Sequence, residues 1–230
     1  MDKKRIMLGI LMVAALSIAQ STQAAFVGPT PYRSFSDSPF SMLMFDYFYL
    51  EDFEDRLLNT PGVRASQGFI WPDPAYHDSV DADDGVIDGS GSAGQSFGIK
   101  NAGGITVTFD VVVLGTYPTH AGIVWTDAYS PVITSVYLQA FDGSGVLIGT
   151  YGPHTMGDGT TLGTTAEDRF LGVVDLAGIS AIRIYQGASQ VEVDHLQYGS
   201  IGRPIPVPGA VILGAIGMGI VGWLRRRRMC

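Results

Sequence analysis

The chain has 230 residues, 46% hydrophobic and 16% charged, with 14 Lys and Arg against 22 Asp and Glu and a formal net charge of −8. That apolar share excludes a disordered chain, the length suits one domain with a sizeable core plus terminal segments, and the acidic balance excludes a nucleic-acid binder, which needs a basic footprint. A single cysteine, Cys230, leaves no disulfide to staple the fold, so stability must come from the core or from bound ions.

At the N-terminus Lys3, Lys4 and Arg5 precede an apolar run from Ile6 to Ala19, and Thr22 and Ala24 are small residues at the positions a signal peptidase reads. The run is short for a membrane span, so the pattern predicts a signal peptide over 1–24, delivered to the Sec translocon and cut after Ala24. Residues 25–44 are Pro- and Ser-rich and are expected to be loosely ordered. Phe45 to Leu58 carries the one helical pattern and can equally hold a first strand; it contains Glu51, Asp52, Glu54 and Asp55. Gly68 to Trp71 reads as a short strand.

Next comes the densest acidic stretch, with Asp78, Asp81, Asp83, Asp84 and Asp88 falling within 11 residues. Calcium takes six to eight oxygens, and short carboxylates in a Gly-rich loop can wrap such an ion. The spacing is not that of an EF-hand: with Gly85 at loop position 6, Val80 and Ala82 stand where ligands belong and no Glu follows at position 12. Two readings stay open, a calcium loop and a solvated loop whose aspartates cap turns.

From here the chain reads as β structure. Gly104 to Val113 alternates Ile105, Val107, Phe109 and Val111 against smaller or polar partners, as a half-buried strand does. Further strands are expected over Ala121–Thr126, Val132–Phe141, Val146–Tyr151, Phe170–Val174, Ile179–Tyr185 and Val191–Tyr198, separated by turn signals such as Asp142-Gly-Ser-Gly145. Many short strands and little helix predict an all-β domain over 45–199, an antiparallel, jelly-roll-like β-sandwich. In the last strand alternation sets Val191 and Val193 on one face and Glu192 and Asp194 on the other, so Asp194 either ligates or belongs to an ordinary polar face.

Residues 200–209 form a linker ending in Pro206, Val207, Pro208 and Gly209, followed by 15 uncharged residues from Ala210 to Leu224 and then by Arg225, Arg226, Arg227 and Arg228. Counted from Ile205 the apolar stretch is 20 residues, roughly 30 Å of helix, about the hydrocarbon core of a bilayer. The 210–224 span is thus expected to cross the membrane, and 225–230 to form a basic tail that stays cytoplasmic and stops transfer.

A signal peptide, a proline-containing tetrapeptide, one apolar helix and a final arginine cluster together resemble the PEP-CTERM class of sorting signals of exopolysaccharide-producing Gram-negative bacteria. In this chain Val207 replaces the acidic middle residue of the commonest form. The resemblance implies a membrane-anchored intermediate, processing by an exosortase-like enzyme, and a destination in the envelope or outside the cell. The early Glu51/Asp52 stretch and the late Asp194 also resemble, more loosely, calcium-containing jelly-roll modules in which an early carboxylate and a late aspartate share an ion.

Seven of the basic residues and one acidic residue lie in the two ends, leaving seven basic against 21 acidic residues between Ala25 and Arg203. Such a domain suits divalent cations or simple solubility. The candidate calcium ligands are Glu51, Asp52, Asp81, Asp83, Asp84, Asp88 and Asp194. No catalytic residue is assigned, because the four histidines lack metal or catalytic spacing and the Ser-Gly stretches read as turns. The sequence therefore reads as a noncatalytic structural or adhesive protein of the envelope or extracellular matrix, linked to exopolysaccharide. A calcium-dependent carbohydrate-binding module is the alternative, and a glycan-active enzyme comes after it. Trp71, Tyr76, Trp125, Tyr129 and Tyr151 are candidate sugar platforms, with core packing the alternative role for the two tryptophans.

Overall fold

The computed structural model describes residues 24–71, 78–101, 103–127, 133–156, 163–187 and 190–202. The expected signal peptide with Thr22, the Pro206–Gly209 stretch, the apolar span and the four arginines lie outside the described residues, as do Tyr76 and Tyr129. Among the described residues no helix is long and apolar enough to cross a membrane.

The fold is all-β, as expected. One antiparallel sheet contains β1 (Ala25–Pro31), β10 (Arg169–Val174), β7 (His120–Asp127), β12 (Val191–Ser200), β5 (Phe97–Ile99) and β4 (Phe69–Ile70) in that order, with β2 (Tyr47–Glu51) beside β5 on the same flank of β12. The second sheet runs β3 (Val63–Ala65), β6 (Gly103–Phe109), β11 (Ile179–Gln186), β8 (Ile133–Asp142) and β9 (Leu147–Met156). The alternation read from the sequence becomes the core between them. Ile105, Val107, Val136, Leu138, Ile182 and Ile184 of the second sheet pack against Ile123, Trp125, Leu171, Val173, Val191 and Val193 of the first. Each such side chain contributes roughly 1.5–3 kcal/mol on burial, enough to hold the sandwich without a disulfide.

Antiparallel sheets commonly leave one face to water. Here the outer face of the larger sheet is covered as well: Tyr32, Phe40 and Val80 close over Val124 and Phe170 in a second small apolar cluster. All ten residues of β12 are consequently buried.

Two local expectations are corrected, and one left open between helix and strand is decided for the strand. Residues 25–44, expected to be loosely ordered, include β1, whose prolines are tolerated because β1 is an edge strand pairing only with β10. Its Gly28 (φ 96°) passes so close to β10 that a Cβ would lie 2.1 Å from the Phe170 carbonyl oxygen, and Phe26 stacks on Tyr151 at 5.3 Å. The helical pattern over Phe45–Leu58 yields to β2, which β12 pairs residue by residue from Leu196 to Ser200. The strand expected to reach Val113 stops at Phe109; Val111–Leu114 instead makes one helical turn, α1, capped by the Asp110 side chain accepting from Val112 N.

Candidate metal centre

The site is built on β12. Val191, Val193, Leu196 and Tyr198 enter the core, while Glu192, Asp194 and Gln197 face outward, as alternation requires. Between Asp194 and Gln197 the register against β7 slips by one residue, because Asp194 pairs with Val124 and Gln197 with Gly122. The extra residue is His195, held at φ 40°, a left-handed conformation uncommon for a non-glycine residue. The bulge puts Asp194 and His195 on the same outer side, beneath the Asp78–Gly91 segment.

His195 is clamped at both nitrogens. Its Nδ1 lies 2.8 Å from the Tyr32 hydroxyl and its Nε2 2.8 Å from Asp83 Oδ1. Gln197 Nε2 donates to the Tyr32 oxygen at 3.0 Å, and Ser38 Oγ donates to Gln197 Oε1 at 2.5 Å. With the phenol accepting from Gln197 and donating to Nδ1, the ring donates from Nε2 to Asp83. Asp194 accepts from Val80 N at 2.9 Å and from His195 N at 2.6 Å.

Asp83, Asp194 and His195 thus bring three ligand atoms within 4.8 Å of one another and can hold a metal ion. Burial, and then the adjacent Asp83 charge, raise the Asp194 carboxyl well above its ordinary range. Two buried carboxylates this close must share a proton or a cation. His195, committed on both nitrogens, serves better to orient Asp83 than to ligate, which leaves carboxylate oxygens as the donors.

The other proposed ligands go elsewhere. Asp81 accepts from the amides of Asp88, Gly89 and Ser90 at 3.0–3.3 Å and shapes the loop. Asp84 caps Val86 N at 2.8 Å and Asp88 caps Ser90 N at 3.1 Å, so turn capping holds for these three. Glu51 is buried but accepts from the amides of Phe53, Asn59 and Thr60, and Asp52 caps Glu54 N at 3.2 Å. From that early stretch it is Glu54 that approaches the site. Desolvation pushes it up to about 7, with the Asp83 charge adding to the rise.

Three further carboxylates are buried on this face: Asp78 of the aspartate loop and Glu192 beside Asp194, both seen in the sequence but not among its candidate ligands, and Asp168, just before β10, which sequence reasoning missed. Glu192 accepts from Asp78 N at 2.9 Å and from Ser96 Oγ. Desolvation drives Asp78 up to about 10 and Glu192 up to about 8, and raises Asp168 well above the ordinary carboxylate range. The only prior signal for Asp168 and Glu192 was an acidic residue next to or within a strand, a pattern that solvated strands share.

Of the aromatic candidates, Trp71 and Trp125 are buried, and Tyr151 is half-buried against Phe26. The outer face of the smaller sheet holds Tyr137 and Tyr185 stacked at 4.9 Å, with the Arg183 guanidinium 4.7 Å over Tyr185.

Compared with models of protein families the chain matches none, and no curated protein matches it in sequence.

Proposed function

We propose that this chain is an exported envelope or extracellular-matrix protein, routed through the membrane by its PEP-CTERM-like tail, whose jelly-roll-like sandwich holds calcium and serves a noncatalytic structural or adhesive role. The observation that carries the calcium reading is the meeting of Asp83 with Asp194 under the aspartate loop, beside a histidine that orients Asp83. All-oxygen donors suit a hard cation, and calcium tolerates irregular cages better than magnesium, which demands near-ideal octahedral geometry. A cation here ties the Asp81–Asp84 turn to the central strand of the larger sheet, which is a stabilising role. The histidines other than His195 bring no second ligand cluster among the described residues.

Calcium binding by the full chain in detergent, followed by calorimetry with EDTA-treated protein as the start, tests the reading. Saturable binding lost in Asp83→Asn/Asp194→Asn supports it, and equal binding by wild type and variant overturns it. For sorting, Arg225–Arg228 replaced by Ser should leave the protein mislocalised or unprocessed; unchanged fractionation and mass refute the tail reading.

Carbohydrate binding is the second reading, favoured by Tyr137, Tyr185 and Arg183 on an outer sheet face, since flat rings and a guanidinium suit sugar faces and hydroxyls. A glycan array of wild type against Tyr137→Ala/Tyr185→Ala separates binder from scaffold, and release of reducing sugar tests for a glycan-active enzyme.

A further inference from the structure

We infer that a second divalent cation, calcium by the chemistry of its donors, binds a separate site on the same outer face, made by Asp78, Asp168 and Glu192. The three come from different parts of the chain. Asp168 precedes β10, Glu192 lies on β12, and β7 runs between those strands. Asp78 descends from the loop above, tied by its amide to Glu192 Oε1 at 2.9 Å. Adjacent strands stand about 4.8 Å apart, so Asp168 and Glu192 flank a gap of about 10 Å between backbones with Asp78 above it. The three carboxylates are not drawn within 4.8 Å of one another as Asp83, Asp194 and His195 are, and the inferred ion is what would pull them together.

The acidic grouping alone would not make a site. What points to a ligand is that Asp78 and Asp168 are each 0% exposed, and that neither oxygen of either carboxylate has a hydrogen-bond partner among the described residues. Glu192, also 0% exposed, keeps Oε2 without one as well. Buried carboxylates are ordinarily paired or coordinated, because leaving them bare carries a penalty of several kcal/mol per group. Arg169, whose charge partly offsets the rise at Asp168, places its guanidinium on the Asp168 main-chain carbonyl at 2.8 Å and makes no hydrogen bond to the carboxylate. The charged groups acting most strongly on Asp78 are Asp168 and Glu192 themselves, followed by Asp127 and Glu167. The backbone is fitted to the same spot: a Cβ on Gly91 would lie 1.9 Å from Ser79 O and 2.5 Å from Asp78 Oδ1, so only glycine lets this segment close over the carboxylate.

This second site shares chemistry with the Asp83–Asp194 site, and the charges of Asp81 and Asp83 reach Asp168, but its ligands are different residues, so variants can separate the two. Native mass spectrometry of the full chain released from detergent, titrated with calcium, counts bound ions in wild type, Asp78→Asn/Asp168→Asn and Asp83→Asn/Asp194→Asn. Two ions in wild type and one in each variant uphold both sites. A count that falls only in Asp83→Asn/Asp194→Asn overturns the second site and keeps the first; a count that falls only in Asp78→Asn/Asp168→Asn does the reverse. A single wild-type ion lost in both variants overturns the separate second site, and no ion in wild type overturns both. Melting supplies a readout independent of counting. In EDTA the Asp78→Asn/Asp168→Asn protein should melt at or above wild type, since repulsion is relieved, and in calcium below it. The same displacement in both buffers overturns the inference. If the double variant does not fold, Asp168→Asn carries the same comparison.

Discussion

Removing calcium should make the stability of this protein fall as pH rises, and the size of the effect follows from two groups. Asp78 is pushed up to about 10 by desolvation and by the charges of Asp168, Glu192, Asp127 and Glu167. Glu192 is pushed up to about 8 by desolvation and by Asp127, against hydrogen bonds from Ser96 and the Asp78 amide that lower it. Both folded values exceed the unfolded ones, so the cation-free fold binds more protons than the unfolded chain. Its stability is intact below about pH 4 and is lost as pH rises toward those folded values. Holding the proton at pH 7 costs about 4 kcal/mol for Asp78 and about 3 kcal/mol for Glu192, against about 2 and about 1 kcal/mol at pH 5. The pH 7 cost is comparable to the 5–15 kcal/mol that holds a typical domain. Calcium uses the ionised forms and removes that cost; at 100 times its Kd each ion returns about 3 kcal/mol. Scanning calorimetry of the full chain in calcium and in EDTA, from pH 5 to 8, should therefore show a gap in Tm of about 10 °C or more at pH 7 that shrinks to a few degrees at pH 5. A Tm in EDTA that is flat or rises across this range, or that matches the calcium curve at pH 8, refutes the reasoning.

Glu51→Ala should destabilise the fold by about 3 kcal/mol in urea denaturation, because the amides of Phe53, Asn59 and Thr60 lose their acceptor. The calcium count should stay unchanged, which separates a turn organiser from a ligand. His195→Gly relieves the left-handed backbone but removes the link from Tyr32 to Asp83; calcium affinity at the Asp83–Asp194 site should drop by about 10–100-fold in calorimetric titration, as for other partners that orient a ligand. Gly122→Ala places a Cβ 2.3 Å from Phe170 Cζ, and overpacking there should shift the urea midpoint by the equivalent of about 1–3 kcal/mol without changing the m-value.

The strands were legible where one face is apolar and the other is not. Ile105, Val107 and Phe109 give the register of β6, and Val191 and Val193 that of β12, because a one-residue slip would turn every side chain to the wrong side. Local signals failed where pairing overrides them. Pro29 and Pro31 argue against a strand in general but not at an edge, and Phe45–Leu58 has no internal reason to prefer β2 until β12 offers its hydrogen bonds. For the site, the density of aspartates pointed to the right loop but not to the right members. Asp81, Asp84 and Asp88 satisfy local amides, and which aspartate escapes that duty is decided by a loop conformation that composition does not encode.

The alternation that places Glu192 and Asp194 opposite Val191 and Val193 is the same whether water or protein covers the polar side. The difference lies in Tyr32, Phe40 and Val80, whose closure over Val124 and Phe170 buries that side. Once it is buried, the charge excess of the domain takes on a different meaning. Exposed carboxylates are screened and nearly free of cost, so 21 acidic residues against seven basic ones would by themselves say only that the domain is soluble. Asp78, Asp168, Glu192 and Asp194 are each 0% exposed, and charges in that position must be neutralised by protons or by a cation. Holding those protons costs the fold steadily more above pH 5, and under the proposed function a cation is the neutraliser that would remove that cost. A β domain without a cysteine can in this way draw stability from a bound ion instead of a disulfide.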